Sequence, residues 1–165
     1  MRWLKEKYGV LILGLTVSLV LDQLTKMLVI FQLPKHAGRA IIPGIFDLYH
    51  VHNTGSAFSL FRDNPVTFFL IVNLAAIGFI LYFFAKLERG ELRLAAAFSL
   101  IMGGALGNLL DRLRHGFVID FFRLHFNDLS WPVFNVADIA IFSGVCLFAL
   151  NLIRSELQLR KSQGA

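Results

Sequence analysis

Apolar residues gather in four long blocks along this chain, with polar residues as punctuation between them rather than in alternation with them. The blocks lie near residues 8–30, 66–84, 94–110 and 136–153. A helix rises 1.5 Å per residue, so about 20 residues cross the ~30 Å hydrocarbon core of a bilayer. The third block is the shortest and needs its adjoining polar end to complete a crossing. The pattern predicts four transmembrane helices in one integral membrane domain, residues 1–165. Two longer segments join the first helix to the second and the third to the fourth. In the first of these, Pro34, Gly38, Pro43 and Gly44 mark turns, and residues 45–51 are apolar and partly β-branched enough for a short strand. An Asn53-Thr54-Gly55 turn follows, then a small amphipathic piece ending Phe58-Ser59-Leu60-Phe61, suited to a membrane–water interface. In the second, residues 118–126 read as strand-like, and Trp131 stands where an interfacial aromatic belongs.

Composition supports the membrane assignment: 56% of residues are hydrophobic and mean hydropathy is +0.65, too apolar for a soluble globule whose helices each need a polar face. The first block follows Arg2, Lys5 and Lys7 as a secretory signal would. Its apolar core is too long for one, no small-residue cleavage site follows closely, and Asp22 and Lys26 interrupt its far end, so a retained helix is expected.

The net charge of +5 does not imply nucleic acid, because the basic residues form no continuous face. Arg2, Lys5, Lys7, Lys86, Arg89, Arg93, Arg154, Arg160 and Lys161 sit in short segments, whereas Lys35, Arg39, Arg62, Arg112, Arg114 and Arg123 are spread over the two long ones. That density places both termini in the cytoplasm. The four Glu lie in the cytoplasmic segments and the seven Asp at or beyond the outer ends, a split that agrees with a sided molecule. Cys146, the single cysteine, lies within the fourth span and reads as packing.

Polar residues inside the apolar blocks carry the chemistry. Asp138, in Phe134-Asn135-Val136-Ala137-Asp138, opens the fourth helix, where either Asn135 or Asp138 could simply cap free backbone N–H groups. A second carboxylate, Asp120, stands in an equally apolar context a short loop upstream. Asp22 lies ~21 Å above Tyr8 along the first helix, with Lys26 one turn further, which suggests an intrahelical ion pair in a supporting role whose lysine snorkels to water. Asn108, Asp111 and Arg112 are spaced to leave one face of the third helix as it emerges, and Gly103 and Gly107 have the four-residue spacing of close helix contacts in lipid. Asn73 is the only strongly polar side chain of the second block and reads as a packing partner. His50 and His52 would share a strand face, but no third ligand follows at suitable spacing, so neither a metal nor a cofactor is expected. Counting helix directions brings Asp22, Asn108, Asp111, Arg112, Asp120, Asn135 and Asp138 to the outer end of the bundle.

Two carboxylates in poorly solvated surroundings share a proton, because one charge raises the pKa of the other. Such a pair cleaves peptides: one carboxylate takes a proton from the attacking water while the other donates to the carbonyl oxygen or leaving amine. The blocks Asn53-Thr54-Gly55-x-Ala57-Phe58, Gly104-x-x-Gly107-Asn108-x-x-Asp111-Arg112, Val118-Ile119-Asp120-Phe121 and Phe134-Asn135-Val136-Ala137-Asp138 resemble, in order and spacing, those of the lipoprotein signal peptidases, or signal peptidase II. The resemblance covers nearly the whole chain. It implies a membrane α-helical fold of four transmembrane helices with a small extracytoplasmic β-cradle and a short interfacial helix. It also implies a bacterial inner-membrane aspartic peptidase that cuts diacylglyceryl-modified prolipoproteins just before the lipidated cysteine. By position, Asp120 and Asp138 match the catalytic pair, and Asp22, Asn53, Gly104, Asn108, Arg112 and Asn135 match other functional positions, with Lys26 beside Asp22. Ser56 replaces the usual alanine and Ile139 a common serine. The expected partners are prolipoprotein and membrane lipid, without nucleic acid, and the expected state is a monomer.

Three other readings compete. A Ser/Lys peptidase would pair Lys26 with Ser56 or Ser59, and a proton-coupled carrier would relay protons through the carboxylates near the bilayer midplane. A purely structural role for every polar residue leaves the clustering of two apolar-flanked aspartates unexplained.

Overall fold

A computed structural model describes residues 2–55, 65–127 and 129–163. In chain order the elements are α1 (Arg2–Gln32), β1 (Gly38–Ile42), β2 (Phe46–Asn53), α2 (Val66–Ala85), α3 (Leu92–His115), β3 (Val118–Phe126), β4 (Leu129–Ser130) and α4 (Val136–Gln163). All four helices are long and apolar enough to cross a membrane. Each expected span falls inside one of them, and the third is completed by its polar end, residues 111–115. The amphipathic piece and interfacial helix expected around residues 56–64, with Ser56 and Ser59, lie outside the described residues.

The third apolar block is short because α3 is the helix least in need of apolar cover. Of its apolar stretch 67% is buried, against 11–17% in the other three, so its neighbours are protein rather than lipid. Met102, Phe98, Ala95 and Leu94 of α3 pack against Ile80 and Phe84 of α2. Small residues bring α3 close to its other neighbours. A Cβ added at Gly104 would strike Ala137 O and come within 2.8 Å of Ile141 Cγ1 on α4, and one at Gly107 would strike Asp22 of α1. The expected Gly103/Gly107 face therefore seats α1, and Gly104 seats α4. Large apolar side chains such as Ile12, Phe31, Ile71, Phe79 and Phe142 point outward, the pattern of a lipid-facing surface.

At one end of the bundle the strands form an antiparallel sheet in the order β1-β2-β3-β4. The expected strand at 45–51 is β2, displaced to Phe46–Asn53, and the edge strand β1 was not foreseen because Gly38-Arg39-Ala40 carries no alternating pattern. Opposite Asp120 in the register stands Val51, and opposite Val118 stands Asn53. The N–H groups of Phe121 and Phe122 both donate to Phe134 O, at 3.0 and 2.8 Å, and Phe134 N–H returns to Phe122 O at 3.0 Å. This isolated bridge lays the residue before Asn135 against the strand that holds Asp120. Val29 of α1 and Ile119 and Phe121 of β3 form a second apolar cluster that fixes strand to bundle.

Candidate active site

Asp120 belongs to a run of four fully buried β3 residues, Val118 to Phe121, and is itself 3% exposed. Both of its oxygens are occupied: Asn53 Nδ2 donates to Oδ2 at 2.8 Å and Asn135 Nδ2 to Oδ1 at 2.7 Å. Asp138, half-buried in the first turn of α4, sits in a reciprocal capping box. Asn135 N–H donates to Asp138 Oδ2 at 3.1 Å and Asp138 N–H to Asn135 Oδ1 at 3.0 Å. Its other oxygen accepts Asn108 Nδ2 at 2.9 Å. Capping and presentation are thus not alternatives, since the same carboxylate does both.

The three asparagines have no freedom to flip. Asn53 Oδ1 accepts Gly55 N–H at 2.9 Å, Asn135 Oδ1 accepts Asp138 N–H, and Asn108 Oδ1 accepts the Lys26 ammonium at 3.0 Å. Each of those partners can only donate, so each amide must turn its NH₂ toward an aspartate. Asn53 is accordingly the expected turn residue, through Gly55 N–H, and at the same time a donor to Asp120.

Burial, and after it the Asp138 charge, push the Asp120 carboxyl up to about 7 against the opposing pull of the Asn53 and Asn135 hydrogen bonds.

Arg112 reaches across to the turn after β2: Nη2 donates to Gly55 O at 2.9 Å, and the guanidinium lies over the Phe69 ring at 5.1 Å. The expected polar trio therefore divides: Arg112 turns to Gly55, while Asn108 and Asp111 both meet the Lys26 ammonium.

Asp22 and Lys26 form the expected i,i+4 pair at 2.9 Å, but the lysine does not snorkel. It is 2% exposed, and its three N–H donors go to Asp22, to Asp111 at 2.8 Å and to Asn108. Water is replaced by two carboxylates and an amide, which is why an ammonium is tolerated at that depth. Asp111 and Gln23 belong to this cluster and were not among the expected site residues. Gln23 Nε2 donates to Asp111 Oδ1 at 3.1 Å and to Asp22 Oδ2 at 3.2 Å. A glutamine beside an aspartate in an apolar block was the available signal. His50 and His52 are packed rather than open: His50 Nδ1 donates to Leu33 O at 2.8 Å, and the His52 ring stacks on Phe117 at 3.8 Å.

Comparison with known proteins bears on this arrangement. The family profile described as Signal peptidase (SPase) II matches residues 15–154, a span that contains every site residue named above. The chain belongs to the signal peptidase II family. It is 42% identical over 151 residues to the lipoprotein signal peptidase of Geobacter sulfurreducens, covering 90% of this chain and 92% of that one. It is 44% identical over 140 residues to that of Symbiobacterium thermophilum, covering 85% and 91%. A solved bacterial membrane enzyme, determined by the in meso method at 2.3 Å, superimposes with a TM-score of 0.83 at 30% identity over 90% of both chains. A second, at 1.9 Å, gives 0.79 at 30% identity over 87% of this chain and 92% of that one. The expected membrane-helical fold with a small sheet is therefore that of this signal peptidase II chain.

Proposed function

We propose that this chain, a protease of the signal peptidase II family, removes signal peptides from diacylglyceryl-modified prolipoproteins by cutting just before the lipidated cysteine. Asp120 and Asp138 are the catalytic pair. The name of its relatives, lipoprotein signal peptidase, supports the substrate class, and the pinned carboxylates support the aspartic mechanism. One domain, 1–165, works as a monomer in the bacterial inner membrane, with both termini cytoplasmic and the sheet end extracytoplasmic.

The observation that carries the reading is the convergence of three orientation-locked asparagine amides on two apolar-flanked aspartates. With one proton on the pair, the ionised carboxylate takes a proton from water as its oxygen attacks the scissile carbonyl, and the protonated carboxyl gives its proton to the carbonyl oxygen. The tetrahedral gem-diol then collapses: the C–N bond breaks as the amine receives a proton from the carboxyl that took one from water, and one of the two hydroxyls gives its proton to the other carboxylate as the C=O bond re-forms, which restores one proton to the pair. The Asn53, Asn108 and Asn135 amides hold the carboxylates in place, Arg112 anchors the turn that carries Asn53, and Gly104 lets α4 approach. Asp22 and Lys26 support the site from below.

A Ser/Lys peptidase is disfavoured because Lys26 spends all three donors within a buried cluster. A carrier is disfavoured because the carboxylates lie at the sheet end of the bundle rather than at its middle.

The test is cleavage of a diacylglyceryl-modified prolipoprotein by the purified chain in lipid. Asp120→Asn and Asp138→Asn are expected each to lose turnover by about 10²–10⁴-fold while still binding substrate, as loss of a general acid or base does. Near-wild-type cleavage by either variant overturns the pair.

A further inference from the structure

Buried ion clusters that merely fill space have no reason to touch the backbone beside a reactive group, yet this one does so twice. Asp22 Oδ1 accepts the N–H of Ala137 at 2.9 Å, and Asp111 Oδ2 accepts the N–H of Ile119 at 3.1 Å. Ala137 immediately precedes Asp138, and Ile119 immediately precedes Asp120. The two carboxylates that do this come from different helices, α1 and α3, and each also bonds the same Lys26 ammonium, at 2.9 and 2.8 Å. The third donor of that ammonium holds Asn108 Oδ1 and so aims Asn108 Nδ2 at Asp138. Gln23 closes the cluster by donating to both acids, and its own Oε1 accepts from Arg114 at 2.9 Å.

We propose that Asp22, Lys26 and Asp111 act together as a positioning clamp that sets where Asp120 and Asp138 stand relative to each other. This rests on the aspartic-pair reading above. Charge-assisted bonds to a backbone N–H are short and directional, so each acid fixes one residue-length of chain next to one reactive side chain. The ammonium ties the two acids together, and strand and helix cannot drift apart without breaking it. None of the three contacts the reacting atoms. Their contribution is to kcat through geometry, where a displacement of about 1 Å costs roughly 10²-fold.

Lys26→Met leaves two buried acids unbalanced and is expected to lose stability as well as activity. The double variant Lys26→Met/Asp111→Asn leaves the cluster with one negative charge, as in the wild type, where two acids face one lysine. Its thermal stability is therefore expected to recover only in part from that of Lys26→Met, because Asp22 stays buried without its cation. Its kcat is expected to stay depressed by about 10–100-fold with KM little changed, because Asn108 does not regain its anchor and Ile119 exchanges a charged acceptor for a weaker neutral one. Amide exchange supplies a readout that does not depend on turnover: Asp111→Leu, which has no acceptor, should speed exchange at Ile119, and Asp22→Leu at Ala137, each leaving the other amide protected. Lys7→Met, which removes a buried lysine bonded to Ala85 O at 3.1 Å at the opposite end of the bundle, controls for loss of a buried charge and should lower stability without lowering kcat. Recovery of kcat together with stability in the double variant, or a change in KM alone, overturns the clamp. Failure of the underlying reading looks different: Asp120→Asn or Asp138→Asn would then remain active, whatever the clamp variants do.

Discussion

At the level of single residues, the site depends on which protons its carboxylates hold. Asp120 titrates at about 7, mainly through burial and then through the Asp138 charge. The mechanism proposed above needs one proton on the pair, so the rate should fall as pH rises through about 7 and the Asp120 proton is lost. Asp138→Asn removes the neighbouring charge but not the burial. The Asp120 titration, followed by its carboxyl infrared band, should then move down while remaining above the ordinary carboxylate range. An unmoved titration would mean that the two side chains do not share a proton. Stability follows by linkage: a carboxyl whose folded pKa lies above its unfolded value makes the folded state the better proton binder, so folding is progressively weakened as pH rises from about 4 to about 7. The sequence already brought Asp120, Asp138, Asn108 and Asn135 to one end, and the family resemblance added Asn53. It could not orient the amides, because orientation depends on the donor-only partner behind each one, and for Asn108 that partner, Lys26, comes from a helix eighty residues away.

Among elements, contact distance is set by glycine. A methyl group at Gly104 meets a backbone oxygen of α4 that no rotamer change can move, so Gly104→Ala should separate α3 from α4, lower the thermal midpoint in detergent and reduce turnover. Gly78 of α2 has nothing within 4 Å of its added Cβ, and Gly78→Ala should leave turnover intact and hold or raise the midpoint, since alanine is favoured over glycine by about 1 kcal/mol inside a helix. A drop at Gly78 as large as that at Gly104 would show that helix approach is not the cause. The sheet has its own pin: Asp47 of β2 faces Arg123 of β3 across the register and bonds its guanidinium, which holds the Asp47 carboxyl below the ordinary range. A depressed carboxyl contributes stability that is present above the unfolded pKa of about 3.9 and lost as pH falls through the folded value. Exchange of β2 and β3 amides should therefore quicken at acid pH, and Asp47→Asn should abolish that dependence. Strand β2 was legible from its apolar residues and β1 was not, because an edge strand exposed on both faces needs no pattern to pair.

On the scale of the whole molecule, the two ends are unequal. The sheet, the aspartates and the long connections share one end, whereas the other has only the termini and the short link between α2 and α3. The four helices were legible because lipid demands apolar residues on every outward face, and the misleading shortness of the third block came from its being the helix that lipid does not reach. The proposed sidedness rests on charge density: Arg2, Lys5 and Lys7, then Lys86, Arg89 and Arg93, then Arg154, Arg160 and Lys161 lie toward the sheet-free side, the distribution expected of a cytoplasmic face. Arg39 of β1 and Arg89 of the short link are both exposed and stand at opposite ends. In a Cys146→Ser background, Arg39→Cys should react with a membrane-impermeant thiol reagent added to intact spheroplasts, and Arg89→Cys only after the membrane is opened. The reverse pattern would turn the molecule over and put the aspartates on the cytoplasmic side, where a substrate emerging across the membrane could not meet them. Labelling of both without permeabilisation would instead mean that the short link is not enclosed, and the four-span arrangement itself would fail.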